Sequence, residues 1–103
     1  MQYLFNSHGR WLAFRQRNNV FDVHGKWVGW LPWGDNEVVD THGHYLGTIF
    51  PRDRFYRVHS HPWRGYPGYP GYPGYPGYPG HPGFAGYSAR PMGTGDIAEL
   101  EAR

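Results

Sequence analysis

Histidine is the residue type in this chain best suited to site chemistry, because four copies recur at a near-regular spacing. The recurring residues are His8, His24, His42 and His59. Imidazole is a common ligand of Zn²⁺ and Ni²⁺, at about 2 Å from the metal. A symmetric fold that placed the four side chains in a ring would make a metal or small-ligand site. Each histidine lies in a turn sequence, however, and turn tips point outward, so the pattern favours exposed histidines and no cofactor.

Catalytic chemistry has little support in this sequence. There is no cysteine, and the serines of the region predicted to fold, Ser7 and Ser60, lie in or beside turns. Asp22 and Asp40 are better explained as turn-forming residues than as general bases. The glycine-rich run carries proline at every third position, which is not the pattern of a phosphate-binding loop before a helix. We therefore expect that the protein is not an enzyme.

Each recurring histidine belongs to a longer repeat. The copies are "FNSHGRWLAF" (5–14), "FDVHGKWVGW" (21–30), "VDTHGHYLGT" (39–48) and a degraded fourth, "RVHSHPWR" (57–64). Asn or Asp at the first position of a turn bonds the backbone two residues on, and Gly at the fourth accepts a positive φ. The positions that fit these roles are Asn6, Gly9, Asp22, Gly25, Asp40 and Gly43. Each repeat therefore predicts a β-hairpin.

The residues after each turn indicate how the hairpins assemble. A large aromatic residue is followed two positions later by a small one, in the pairs Trp11 and Ala13, Trp27 and Gly29, and Tyr45 and Gly47. Because side chains alternate along a strand, the two members of a pair are predicted to share a crowded inner face. The neighbouring positions are apolar too, which indicates strands covered on both faces. The prediction is an all-β fold, a small pseudo-fourfold barrel of four hairpins without exposed edges.

The repeated unit D-x-x-G-x-x-V-G resembles the four-fold β-flower domain of bacterial proteins. The segments that carry the resemblance are "FDVHGKWVGWL", "VDTHGHYLGTI" and the "HPW" of the last repeat, and it covers about residues 2–66. The resemblance implies a petal-like β-barrel, distantly similar to the tubby and phospholipid-scramblase barrels but without their central helix. It implies no catalytic residues.

A binding surface is predicted around the loop "GWLPWGDNE" (29–37), the longest between repeats. Its Trp33, with nearby Arg15, Arg17, Arg52 and Arg54, would suit a membrane interface, since indole favours the headgroup level and Arg favours anionic lipid. The alternative is that Trp33 folds back over one barrel end. The first 64 residues hold eight basic against five acidic residues, a balance that disfavours nucleic acid.

The segment after the barrel has a different composition. Glycine occupies every third position from Gly65 to Gly86, and six of these eight triplets read Gly-x-Pro. Eight triplets are short for a collagen helix, so an extended or fluctuating chain is favoured. The sequence predicts a folded domain over 1–66 and a disordered tail over 67–103, with a short helix at 96–102. The tail would act as a spacer or as a weak self-association segment.

The expected location is cytoplasmic by default. The first residues lack a basic leader followed by an apolar run, and no stretch approaches the ~20 apolar residues of a membrane span. Peripheral attachment to a membrane stays open. The predicted function is a non-catalytic binding or adaptor module for a partner protein or for a membrane or envelope surface. The alternative is a small-ligand or metal-binding module that uses the turn histidines.

Overall fold

The computed structural model describes residues 1–97. Its strands are β1 (Gln2–Phe5), β2 (Trp11–Gln16), β3 (Asn19–Asp22), β4 (Trp27–Trp30), β5 (Glu37–Asp40), β6 (Tyr45–Phe50), β7 (Arg54–Val58) and β8 (Thr94–Asp96), with a 3-10 turn at Pro51–Asp53. Consecutive strands pair in antiparallel fashion throughout. A parallel pairing of Phe5 with Arg54 joins β1 to β7 and closes the ring. The fold is therefore a small closed β-barrel of seven strands plus one, and the all-β prediction is confirmed.

Three hairpins share one turn geometry. In the second of them, Asp22 accepts hydrogen bonds from the backbone N–H groups of His24 and Lys26, at 2.8 and 2.9 Å. Gly25 has a φ of 83°, in the left-handed region that glycine enters without strain. Asn6 and Asp40 accept the same pair of bonds in the first and third hairpins. The polar residue therefore closes each turn, and the glycine lets the strands twist.

A β-bulge follows each of these turns and changes which side chains point inward. In β4, Trp27 pairs with Phe21 while Gly29 pairs with Val20, so Val28 is an extra residue in the ladder. The other two hairpins show the same shift of register. Because the extra residue reverses the alternation, the aromatic residue and the small residue two positions later face opposite sides. The prediction that they share an inner face is therefore wrong.

The barrel interior is formed by one cluster with a contribution from every strand up to β7. Its members are Leu4, Ala13, Val20, Val28, Leu31, Val38, Leu46, Ile49, Phe55 and Ile97. A second cluster, on the outside, is built on Phe14, Phe21 and Trp27, with Tyr3, Trp11 and Trp30 against it. Strands that pack on both faces were expected, and the outer cluster requires a second layer of chain to cover it.

The fourth pair of strands, β7 and β8, is joined by residues 59–93 instead of a short turn. The backbone N–H of His59 donates to the carbonyl of Gly93 at 2.9 Å, which closes this long insertion. Asp96 at the end of β8 accepts hydrogen bonds from the backbone N–H and the hydroxyl of Ser7. Thus β8 fills the edge of β7 that β1 leaves free.

This connection differs from the predicted fourth repeat. Residues 61–64, expected to return as a strand, have no regular secondary structure, because Pro62 has no N–H for a ladder. The last strand comes from the region predicted to be tail, and Ile97 belongs to the core. Neither the fourth repeat around His59 nor the disordered tail is confirmed. The helix predicted at 96–102 begins on a residue that ends a strand, and 98–103 lie outside the described residues.

Candidate functional site

The insertion forms an extended segment on the outside of the barrel. We call residues 61–91 the belt; they have no regular secondary structure. They pass the third, second and first hairpins in turn, which is the reverse of the chain order. The belt therefore supplies the layer that the outer aromatic cluster needs.

The belt contacts the same position in three hairpins, namely the aromatic residue that opens each returning strand. His61 stacks on Tyr45, with ring centroids 3.7 Å apart and planes within 5°. Trp27 and Trp11 each receive two belt rings at 5.2 to 6.0 Å: Tyr69 and Tyr72 for Trp27, Tyr78 and His81 for Trp11. We call Tyr45, Trp27 and Trp11 the barrel aromatics. Each of them contacts a different part of the extended Tyr- and Pro-rich belt.

The belt packs directly against the turn glycines of the three hairpins. A side-chain carbon on Gly25 would lie 2.6 Å from the ring of Tyr75, and one on Gly43 would lie 2.6 Å from the ring of Tyr66. On Gly9 it would meet the backbone of Gly86 at 2.5 Å. These glycines therefore serve both the turn and the belt, which no hairpin argument alone predicts.

The belt repeats its contacts every nine residues. Tyr66 and Tyr75, nine positions apart, lie on the turn glycines of the third and second hairpins. Tyr69 and Tyr78, also nine apart, lie on Trp27 and Trp11. Since the sequence repeats every three residues, three Gly-x-Pro triplets correspond to one hairpin. The length of the triplet run is therefore matched to the barrel.

Arg54 holds the end of the belt. Its side chain is 5% exposed, and its guanidinium donates to the carbonyls of Asn6, Gly86 and Ala85 at 2.8, 3.0 and 3.2 Å. The backbone N–H of Ala85 donates to Gly9, and that of Ser88 donates to Ser7. This side chain was predicted to lie on a binding surface; it is a buried clamp instead.

The start of the belt is held by polar side chains. Nε2 of His61 lies 2.6 Å from Oε1 of Glu37, and both side chains are largely buried. Arg64 donates to Asp35 at 2.7 Å and to Glu37 at 3.2 Å. Its guanidinium also stacks over Trp33, 4.3 Å from the ring centroid. The loop of residues 31–36 thus anchors the belt.

Acid is expected to weaken this anchor. The hydrogen bond from Arg64 holds the pKa of Asp35 below its ordinary value of 3.8, and a backbone N–H bond from Glu37 adds to the effect. A carboxylate with a depressed folded-state pKa stabilises the folded state above its unfolded pKa. That contribution is lost as the pH falls through the depressed value. We expect Arg64→Gln to raise the Asp35 pKa toward 3.8, as measured by ¹³C NMR titration of its carboxyl carbon. Arg52→Gln, the control, should leave it unchanged, and an unshifted pKa in Arg64→Gln would contradict the anchor.

The other residues predicted to form the binding surface lie in or beside the connections β2–β3, β4–β5 and β6–β7. Trp33 is half-buried, with the guanidinium of Arg64 over its ring. Arg17 and Arg52 are exposed, in the connections β2–β3 and β6–β7. Nε of Arg15 donates to the carbonyl of Arg17. These connections lie at the barrel end opposite to the three hairpin turns.

The recurring histidines are exposed, at separate hairpin tips and at the end of β7. Within residues 1–97, no three His, Cys, Asp or Glu side chains are close enough to hold a metal ion. His24 instead lines a cavity of about 390 Å³ between the barrel and the belt. The other side chains on its wall are Arg10, Trp11, Val23, Tyr78, His81 and Phe84. Its aromatic walls suit a flat apolar ring, and Arg10 adds a positive charge to the lining.

The sequence reasoning missed the inner face of the belt. The sequence predicts the barrel aromatics in the interior and the tyrosines of the triplets in a disordered, weakly self-associating tail. One signal could have found the contact: the strands were apolar on both faces, so a small barrel required an outer cover. The triplet run was the one segment long enough to provide it.

In the part of the chain that the structure describes, no helix has the length and apolar character needed to cross a membrane.

Comparison with known proteins gives a family but no individual relative. No curated protein and no solved structure matches the chain. The sequence model of a family described as 4-fold beta flower protein matches residues 1–96. That match includes the belt and β8, which the resemblance over residues 2–66 did not. The chain therefore belongs to the 4-fold beta flower family.

Proposed function

We propose that this protein is a non-catalytic binding module whose binding face is the outer surface of the belt, together with the basic hairpin tips beside it. The observation that carries the proposal is the distribution of exposed large apolar side chains. Within the described residues, nine of the ten lie between Trp63 and Met92: Trp63, Tyr66, Tyr69, Tyr72, Tyr75, Tyr78, Phe84, Tyr87 and Met92. A band of this kind on a small protein is typical of an interaction surface.

The charges next to the belt favour an anionic membrane surface as the partner. Arg10 and Lys26 follow the turn glycines of the first and second hairpins, and both are exposed. They lie beside turn glycines that the belt contacts. Tyrosine has an apolar ring and a polar hydroxyl, so it suits the headgroup region, and basic side chains are attracted to anionic lipid.

Two observations support a binding role over catalysis. The described groups with a clearly shifted pKa are Asp35 and Arg64, which pair at the surface and do not line the cavity. Catalytic groups usually combine a perturbed pKa with a cleft. The close packing of the belt also favours an interaction segment over a spacer. A small-ligand role in the cavity beside Trp11 is the second candidate, on the strength of its aromatic walls.

Vesicle flotation of the full chain tests the membrane proposal. We expect binding to anionic vesicles and little to neutral ones. Each basic residue near the surface contributes about 1 kcal/mol, so the double variant Arg10→Gln, Lys26→Gln should bind roughly 30-fold more weakly. Phe84→Ser, which removes an exposed belt ring, should weaken binding to both vesicle types.

The matched control is the double variant Arg17→Gln, Arg52→Gln, which removes the same charge at the barrel end opposite to the turns, where both residues border the belt. It should weaken binding less than Arg10→Gln, Lys26→Gln does. Equal losses in the two double variants would show attraction by net charge alone and contradict the proposed face. Absence of flotation would reject the membrane and leave a partner protein as the object of the search.

A further inference from the structure

The belt departs from its nine-residue pattern at the first hairpin. Tyr66 and Tyr75 each place a ring on the turn glycine of the third and second hairpins, respectively. Phe84 follows Tyr75 by nine residues and is therefore expected on Gly9, the turn glycine of the first. The backbone of Gly86 meets Gly9 instead, and the ring of Phe84 is 74% exposed. The first hairpin thus lacks the belt ring that the other two have on their turn glycines.

A second departure lies on the same hairpin. Trp27 receives two belt tyrosines, whereas Trp11 receives one tyrosine and His81. Among the six Gly-x-Pro triplets, that of residues 80–82 is the one with His in place of Tyr. An imidazole ring is smaller than a hydroxyphenyl ring, and its nitrogens can donate hydrogen bonds. Because the backbone N–H of Gly83 donates to Nδ1 of His81 at 3.0 Å, the neutral ring keeps its proton on Nε2.

Both departures border the cavity of about 390 Å³ between the barrel and the belt. This volume is within the range of small-molecule pockets, roughly 300–1,000 Å³. Trp11, Tyr78 and Phe84 contribute aromatic rings to its lining. Tyr78 and Phe84 are 60% and 74% exposed, so part of this ring surface is uncovered. The cavity therefore offers space and aromatic surface for a ligand of one or two rings.

The charged and titratable side chains of the lining are nitrogen bases. They are Arg10, His24 and His81, and no Asp or Glu is among the described lining residues. Within residues 1–97, no carboxylate forms an ion pair with any of the three. Asp22, in the same turn as His24, is engaged by two backbone N–H groups. A ligand carboxylate would supply the missing negative charge and accept charge-assisted hydrogen bonds, to which the fork of Arg10 is well suited.

We propose that this cavity binds a small aromatic carboxylate. Its ring packs beside Trp11 and Phe84, and its carboxylate accepts hydrogen bonds from Arg10 and from Nε2 of His81. The proposal rests on the small-ligand role given above as the second candidate function and adds the class of ligand. It concerns a cleft at the first hairpin, and it is independent of vesicle binding by the outer face of the belt.

The probe is 2-naphthoate, titrated into the full chain by calorimetry and by NMR. We expect a dissociation constant of about 1 mM or below. The largest shifts should fall on the indole N–H of Trp11 and on the amides of Arg10, His24 and Gly83. The neutral analogue 2-naphthamide should bind about tenfold more weakly or worse, because it lacks the charge. Cyclohexanecarboxylate, which has the charge without an aromatic ring, should also bind more weakly.

Two variants test the named residues. Arg10→Gln should weaken binding of 2-naphthoate by about tenfold and leave that of 2-naphthamide unchanged, since the charged contact alone is lost. His81→Tyr restores the tyrosine of the other triplets, removes the donor and fills space. It should weaken 2-naphthoate binding by about tenfold or more without lowering vesicle flotation. The matched control, Arg17→Gln, removes the same charge at the other barrel end and should bind 2-naphthoate as the unmodified protein does.

The proposal is overturned by absence of binding up to about 10 mM 2-naphthoate. Equal affinity for 2-naphthoate and 2-naphthamide would overturn the anionic class of the ligand. Equal losses in Arg10→Gln and Arg17→Gln, or shifts spread over the belt tyrosines, would overturn the site. Arg10 is exposed, so its comparison with Arg17 decides the question if His81→Tyr does not fold. Binding of 2-naphthoate without any vesicle flotation would reject the membrane role and support this site.

Discussion

Gly29→Ala is expected to lower the free energy of unfolding by about 3 kcal/mol or more, the upper part of the range for overpacking. A side-chain carbon at this position would overlap the backbone carbonyl oxygen of Val39. That atom belongs to the neighbouring strand, and it cannot rotate away as a side chain can. Relief therefore requires separation of β4 from β5, whose ladder has only two residue pairs. For a domain of this size, the melting temperature should fall by more than roughly 12 °C in a thermal melt.

Gly47→Ala is the matched comparison, because it occupies the same position in the third hairpin. There the nearest atoms are the side chains of Ile97 and Phe55, at 2.7 and 2.8 Å. Side chains can give way, so we expect a smaller loss of about 1–2 kcal/mol. In the first hairpin the position is already Ala13, fully buried without displacing the fold. A loss below about 1 kcal/mol for Gly29→Ala, or the reverse order, would contradict the close approach of Val39.

The equivalent positions Ala13, Gly29 and Gly47 show which features of the hairpins could be predicted from the sequence. The repeats predicted the hairpins, because the turn chemistry of Asn6, Asp22 and Asp40 is local and needs no knowledge of the rest of the chain. Closure into a barrel followed from the apolar character of both strand faces. The direction of each side chain did not follow, because one bulged residue per hairpin reverses the alternation without a distinct signature. Gly29 therefore makes room for a backbone atom of the neighbouring strand, whereas Gly47 makes room for two side chains of the core.

The belt could not be placed from its composition. Glycine and proline at such density usually indicate a chain that cannot bury enough apolar surface to fold. Here the barrel supplies the missing surface, since Trp27 and Trp11 lie on its outside and accept Tyr69 and Tyr78. The length of the triplet run and its nine-residue spacing of contacts match the spacing of the hairpins on the barrel. Neither the triplet run nor the barrel sequence shows this match alone. Because the belt was not predicted to return to the barrel, β8, which follows it, was not predicted either.

Arg54→Met is expected to cost about 3 kcal/mol of stability and to free the end of the belt. The guanidinium joins two parts of the chain, because it donates to Asn6 in the first hairpin and to Ala85 and Gly86 in the belt. Methionine fills similar space but donates nothing, so three carbonyls lose a charged donor. A hydrogen bond to a charged group contributes about 1.5–3 kcal/mol, and the carbonyl of Asn6 keeps its bond from the N–H of Gly9. Thermal melts should show the loss.

Amide hydrogen exchange separates the clamp from a general structural effect. The N–H groups of Ala85 and Ser88 donate to the first hairpin beside Arg54, so their protection should fall more than that of β4 and β5. Arg54→Lys keeps the charge but not the forked geometry, so it should recover part of the protection. Arg52→Gln, two residues earlier and exposed, should change neither quantity. If Arg54→Met lowered protection evenly across the barrel, Arg54 would stabilise the barrel without holding the belt. The attachment of the belt would then depend on the barrel aromatics, and Trp27→Leu, not Arg54→Met, would release it.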